Sequence, residues 1–173
     1  MFRKNALLRN AFSLFAVLCF VMGALSLIGC DPDDPFVDDH KLNNGLIGDW
    51  KYTFDNGNDR YTIDATTLVY TFTYEGVATS FTSNIEYIYN FSETAGVIIV
   101  RYTAYDLGYG ATVGQYQGVY FRDLTASTVK LGSAYETDYS VVEVASLDEA
   151  KEKFRNFRSY GGELSMATPL TRQ

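Results

Sequence analysis

The 173-residue chain is acidic, with a net charge of −7, and 47% of its residues are hydrophobic and 16% aromatic. Three of its 14 Lys+Arg residues (Arg3, Lys4, Arg9) and none of its 21 Asp+Glu precede residue 30, so the remainder carries −10. That balance argues against nucleic acid and anionic lipid headgroups as partners, since both need a basic patch. The single His, His40, and the two cysteines, Cys19 and Cys30, leave no material for a Ser-His-Asp or Cys-His site or for a His/Cys zinc cluster. No phosphate-binding loop or dinucleotide fingerprint occurs. No metal, no cofactor and no catalytic activity is expected.

In chain order, the basic start is followed by an almost unbroken apolar run from Ala11 to Gly29, then by Cys30 and the acidic stretch Asp31-Pro32-Asp33-Asp34-Pro35. Leu27-Ile28-Gly29-Cys30 resembles the lipobox of bacterial lipoproteins. The resemblance implies a signal peptide over residues 1–29, cleavage before Cys30, diacylglycerol attached through a thioether at Cys30, and acylation of the new amino terminus. The other readings of the run are an ordinary secretory signal and a membrane-spanning helix. All three place the chain beyond Cys30 outside the cytoplasm, because the basic flank stays inside. The lipobox implies a bacterial envelope location, at the outer membrane, with the membrane as partner through the lipid on Cys30.

Residues 30–45 read as a tether. Asp31, Asp33, Asp34, Asp38 and Asp39 keep it solvated and extended, and their spacing matches no EF-hand loop. From Leu46 onward the pattern is that of strands. All 14 tyrosines lie after Cys30, and Thr, Val and Ile are abundant. Trp50, Tyr52 and Phe54 alternate with polar residues before the turn cluster Asp55 to Asp59, in which Asn56-Gly57 is a hairpin signal. Arg60 to Ala65 returns, and Leu68, Tyr70, Phe72 and Tyr74 form the cleanest alternation. A mostly polar patch, Ala78 to Asn84, leads to Ile85, Tyr87, Tyr89 and Phe91 on one face. Ile98, Val100 and Tyr102 share a face in the next strand, and Asp106 to Gly114 is a glycine-rich loop. Gln115 to Asp123 and Ser127 to Leu131 pair as a hairpin, and Tyr139 to Val144 is the last strand.

The period then changes. Ser146-Leu147-Asp148-Glu149 fits a capping box, and Leu147, Ala150, Phe154 and Phe157 recur at three and four, predicting a helix over about 146–159. Gly161-Gly162 ends it, and residues 161–173 read as a flexible tail.

So many short strands must hide their edges, which predicts an antiparallel up-and-down barrel of about eight strands with a C-terminal helix over residues 46–160. A β-sandwich is the alternative. Gly48-Asp49-Trp50 resembles the Gly-x-Trp signature of the lipocalins, and Thr137-Asp138-Tyr139 is similar to that family's second motif. The resemblance implies that Trp50 plugs the closed end of the barrel and that the helix lies on its wall. Arg101 or Arg122 would supply a cation over Trp50, although nothing in the sequence places either there.

Tyr70, Tyr74, Tyr87, Tyr89 and Tyr102 fall on the apolar faces of their strands, so a barrel would turn them inward. There they would line a cavity for a small hydrophobic or amphipathic ligand or simply fill a core. Glu75, Glu86 and Glu143 are read as carboxylates of solvated faces. Two functions fit these residues: non-catalytic ligand binding, or a structural lipoprotein that meets an envelope protein through an exposed patch around Tyr105, Tyr109 and Tyr116.

Overall fold

Eight antiparallel strands close on themselves in sequence order in the computed structural model, which describes residues 40–107, 111–134, 142–155 and 168–173. The chain divides into two units, Met1–Pro35 and Phe36–Gln173, and every described residue belongs to the second. The strands are β1 (Gly48–Phe54), β2 (Gly57–Ile63), β3 (Thr67–Tyr74), β4 (Val77–Ser92), β5 (Ala95–Tyr105), β6 (Tyr116–Arg122), β7 (Thr128–Ser133) and β8 (Leu170–Arg172). An α-helix, α1 (Leu147–Phe154), lies between β7 and β8 in the sequence. Each strand bonds two neighbours, so the barrel is closed and the sandwich alternative does not apply.

The β1–β2 turn is tighter than the polar cluster suggests. Only Asp55 and Asn56 lie outside the ladder, Phe54 pairs with Gly57, and Tyr52 pairs with Asp59. Asp59 therefore belongs to a strand, on the same face as Trp50 and Tyr61. Glycine is required at 57, because a Cβ there would stand 1.9 Å from the Thr73 carbonyl oxygen and 2.8 Å from the Phe54 ring.

The polar patch from Ala78 to Asn84 is the first half of β4, which runs unbroken for 16 residues. Its pairing with β5 shifts register at three places, including Ile85/Tyr87. An extra residue in a strand inverts the alternation beyond it. Ser83 and Ile85 face inward before the shift, and Ile88 faces inward after it. Tyr87, Tyr89 and Phe91 consequently lie on the outer face, and the expectation that Tyr87 and Tyr89 line the interior is corrected.

α1 explains why β5 buries both faces. Ile98, Val100 and Tyr102 point into the barrel, while Val97 and Ile99 belong to an outer cluster with Tyr120, Ala150 and Phe154. Ser146 caps the helix, its Oγ accepting from the Glu149 backbone N–H at 3.3 Å. Phe154 is fully buried and lies so close to Gly118 of β6 that a Cβ there would meet its ring at 2.9 Å. The helix is seen as far as Phe154; its expected continuation to 159 lies outside the described residues. Val144 makes an isolated bridge with Tyr116, and Tyr139 to Val141 lie outside the described residues, so Tyr139 to Val144 is not seen as a strand.

The end of the chain departs most from the sequence reading. Leu170–Arg172, expected in a flexible tail, is the strand that joins β7 to β1. Likewise His40 to Asn43, read as tether, run along the barrel. Lys41 offers its carbonyl to Asn90 Nδ2 at 3.0 Å, and Asn43 Nδ2 donates to the Glu93 carbonyl at 2.8 Å.

The helix is thus a wall element. Phe154→Ala is expected to cost about 3–5 kcal/mol in urea unfolding. Gly118→Ala is expected to destabilise as well, by pushing the same ring away. Unchanged midpoints in both variants would show that α1 is not docked on β5 and β6.

Candidate functional site

One end of the barrel is built around Trp50. Its side chain is fully buried, and its Nε1–H donates to the Leu46 carbonyl at 2.8 Å. That bond satisfies the one polar group of the indole, as burial requires. The guanidinium of Arg172 lies 4.3 Å from the ring centroid. Its Nε donates to the Ala126 carbonyl at 3.0 Å and its Nη1 to the Ile47 carbonyl at 2.8 Å, and its Nη2 donates to the Gly45 carbonyl. The cation over Trp50 is therefore Arg172, not Arg101 or Arg122. Arg101 bonds the Gly114 carbonyl at 3.1 Å and lies 5.8 Å over Tyr116, and Arg122 approaches Asp123 at 3.5 Å.

Beyond Trp50, towards the β1–β2 turn, the interior opens into a cavity of about 170 Å3 lined by Tyr52, Asp59, Tyr61, Tyr70, Leu131, Thr168 and Leu170. The wall is mixed. Tyr61 and Tyr70 meet at 4.7 Å between centroids with their planes tilted by 46°. Tyr70 Oη donates to Asp59 Oδ1 at 2.7 Å, fixing the carboxylate against the rings. Leu131 of β7 and Leu170 of β8 supply the apolar side. At the rim, Phe54 stacks on Phe72 at 6.0 Å, and Phe72 stacks on Tyr74 at 6.4 Å.

The five expected tyrosines have different fates. Tyr70 lines the cavity. Tyr74 shares its inward-directed face but sits at the mouth, 46% exposed, because it ends its strand at the β3–β4 turn. Tyr102 is interior and committed to the core: its Oη donates to Gln117 Oε1, and Gln117 Nε2 donates to the Ala134 carbonyl at 3.2 Å. Phe81 and Tyr105 pack edge-on against it at 5.3 and 5.2 Å. Tyr87 and Tyr89 lie outside the barrel, 4.8 Å apart, with Lys151 Nζ of α1 4.2 Å over the Tyr87 ring.

Tyr52, Asp59 and Tyr61 are cavity residues that the sequence reading did not single out. The hairpin register would have found them, since a two-residue turn at Asp55-Asn56 places Asp59 opposite Tyr52 and Tyr61 opposite Trp50. Outside the barrel, Arg60 bonds Asp49 at 2.8 Å and Thr62 Oγ1 donates to it at 2.5 Å; these two hold the Asp49 carboxyl below its ordinary range.

The other carboxylates do not converge. Glu75 is exposed in the β3–β4 turn, Glu86 is exposed on β4, and Glu143 accepts from the Thr112 backbone N–H at 3.0 Å. Among the described residues no group of three or more His, Cys, Asp or Glu is placed to hold a metal ion. Thr137-Asp138-Tyr139 and Cys30 lie outside the described residues. No protein-family model, characterised protein or solved structure matches this chain.

Trp50 is the only tryptophan, so its fluorescence reports on this end of the barrel alone. It is expected to emit at short wavelength and to resist iodide, and Arg172→Ala is expected to admit the quencher. A solvent-like emission from the folded wild-type chain would contradict the plug.

Proposed function

We propose that this chain is a lipoprotein of the bacterial cell envelope, anchored in the outer membrane through lipid on Cys30, whose lipocalin-like barrel binds a small amphipathic ligand without catalysis. The observation that carries the binding part is the cavity of about 170 Å3 beyond Trp50, whose wall sets Tyr52, Tyr61, Tyr70 and Asp59 against Leu131 and Leu170. At about 30 Å3 per water molecule, that space equals five or six waters. It suits a compact ligand or a headgroup rather than the drug-sized ligands of pockets of roughly 300–1,000 Å3. Support for the lipocalin-like reading comes from the closed eight-stranded order and from Trp50 sealed under an arginine at one end. Leu27-Ile28-Gly29-Cys30, at the end of the apolar run, supports the anchor.

A second reading is a structural or protein-interaction lipoprotein with a filled barrel. The modest size of the cavity favours it, as do the exposed Tyr74 and Val77 at the β3–β4 turn. The patch expected around Tyr105, Tyr109 and Tyr116 supports it less, since Tyr105 and Tyr116 are half-buried and Tyr109 lies outside the described residues.

The anchor is tested by labelled palmitate, which the wild-type chain is expected to incorporate and Cys30→Ser is not; equal labelling would refute lipidation at Cys30. Two acyl chains or more hold a protein at a membrane stably, at about 0.8 kcal/mol per buried CH2. The cavity is tested by thermal shift against cationic, neutral and anionic amphipaths of fewer than about ten heavy atoms. At least one is expected to stabilise the wild type and to lose its effect in Leu131→Phe, which fills the cavity. If none does, the filled-barrel reading stands instead.

A further inference from the structure

The cavity has a chemistry of its own. Three of its side chains are phenols, and the faces of their rings carry the negative end of the aromatic quadrupole. The fourth polar group, Asp59, is a carboxylate on the inward face of β2, directly opposite Tyr52 in the ladder. Cross-strand partners of this kind stand about 5 Å apart at Cβ, so ring and carboxylate share one small space. Tyr61 neighbours Tyr70 across the β2–β3 pairing, and their tilted rings form a corner. Tyr70 Oη holds Asp59 Oδ1, which leaves Oδ2 as the oxygen with no bond from Tyr70.

Among the described residues, two nearby cations have other commitments. Arg60, next to Asp59 in sequence, points to the outer face and pairs with Asp49. Arg172 lies over Trp50, with its donors on three backbone carbonyls. A carboxylate faced by aromatic rings and leucines, half removed from water, stabilises a positive charge brought to it.

We propose that the cavity is an aromatic cage for a small organic cation, an alkylated or primary ammonium group, with Asp59 as the counter-charge and Tyr52, Tyr61 and Tyr70 as the cage walls. This rests on the reading of the barrel as a ligand-binding domain and names the class of ligand. Ring faces recognise quaternary and alkylated ammonium groups, and the attraction strengthens as the cation loses water. The leucines take the methyl groups, and the size of the space selects a headgroup of a few heavy atoms. The acidic surface of the remainder of the chain, −10 beyond residue 29, raises the local concentration of such cations.

The test is calorimetric titration of the full chain in non-ionic detergent with choline and with its neutral isostere, 3,3-dimethyl-1-butanol. Choline is expected to bind at least about tenfold more tightly, the ratio that 1.4 kcal/mol of cation recognition supplies. Asp59→Asn preserves the shape of the side chain and is expected to remove about tenfold of the choline affinity. Tyr70→Phe keeps the ring and loses the bond to Asp59, so it is expected to reduce choline affinity less than Asp59→Asn does. Far-UV dichroism of both variants confirms that they fold. Vesicles of phosphatidylcholine, added in place of choline, distinguish a lipid headgroup from a free cation; because the lipid on Cys30 binds vesicles by itself, vesicle binding supports the cage where Asp59→Asn weakens it and counts against a headgroup ligand where it does not. Equal affinity for choline and the neutral alcohol, or full choline affinity in Asp59→Asn, overturns the cage while leaving a ligand-binding barrel. Failure of every probe, charged and neutral, overturns the cage and the ligand-binding reading together.

Discussion

The sheet can close only because three residues at the end of the chain lie between β7 and β1, and so short a strand is held by more than its ladder. Leu170 and Thr171 pair with Val129 and Thr128, and Thr171 and Arg172 pair with Lys51 and Trp50. Arg172 adds bonds to the carbonyls of Gly45, Ile47 and Ala126, which belong to the segment leading into β1 and to the β6–β7 turn. Its guanidinium also covers Trp50. One side chain therefore ties the last strand to the first and seals the same end of the interior. Without that closure the sheet would present two open edges, and the space beside Leu170 would not be a cavity.

Among the described residues, closure sorts most of the buried and half-buried aromatics into three sets. The barrel core takes Phe81, Tyr102 and Phe121; the cavity takes Tyr52, Tyr61 and Tyr70; and the outer cluster under α1 takes Tyr87, Tyr89 and Tyr120. The register shift at Ile85/Tyr87 decides the last assignment, since it carries two tyrosines from the inner face to the outer one. The helix makes that exchange favourable by giving the displaced rings a buried surface and a cation, Lys151. A barrel with both faces of β5 buried gains apolar burial on each side of one strand, which helps a domain of this size at about 25 cal/mol per Å2.

Much of this architecture is legible in the residues. Period-two alternation marks β1 and β3, the capping box marks α1, and Gly48-Asp49-Trp50 points to a buried tryptophan near the start of the first strand. The register shifts in β4 are not legible, because an extra residue leaves no compositional trace when both faces carry aromatics. β8 is hidden for a related reason: Leu170-Thr171-Arg172 is too short for any periodicity, and its place is set by partners at the other end of the chain. Asp59 merges by composition into a polar turn cluster, whereas the tight turn leaves it three residues into β2, on the inward face.

One face of the β1–β2–β3 segment lines a small polar-aromatic cavity inside a closed barrel, while the tyrosines of β4 belong to the outer wall. Ring resonances of 13C-labelled tyrosine, tracked by NMR during a choline titration of the full chain, test it directly. The signals of Tyr52, Tyr61 and Tyr70 are expected to shift together along one binding curve, with those of Tyr87 and Tyr89 unmoved. Movement of Tyr87 and Tyr89 with the other three unchanged, or no movement at any of the five, would contradict the account.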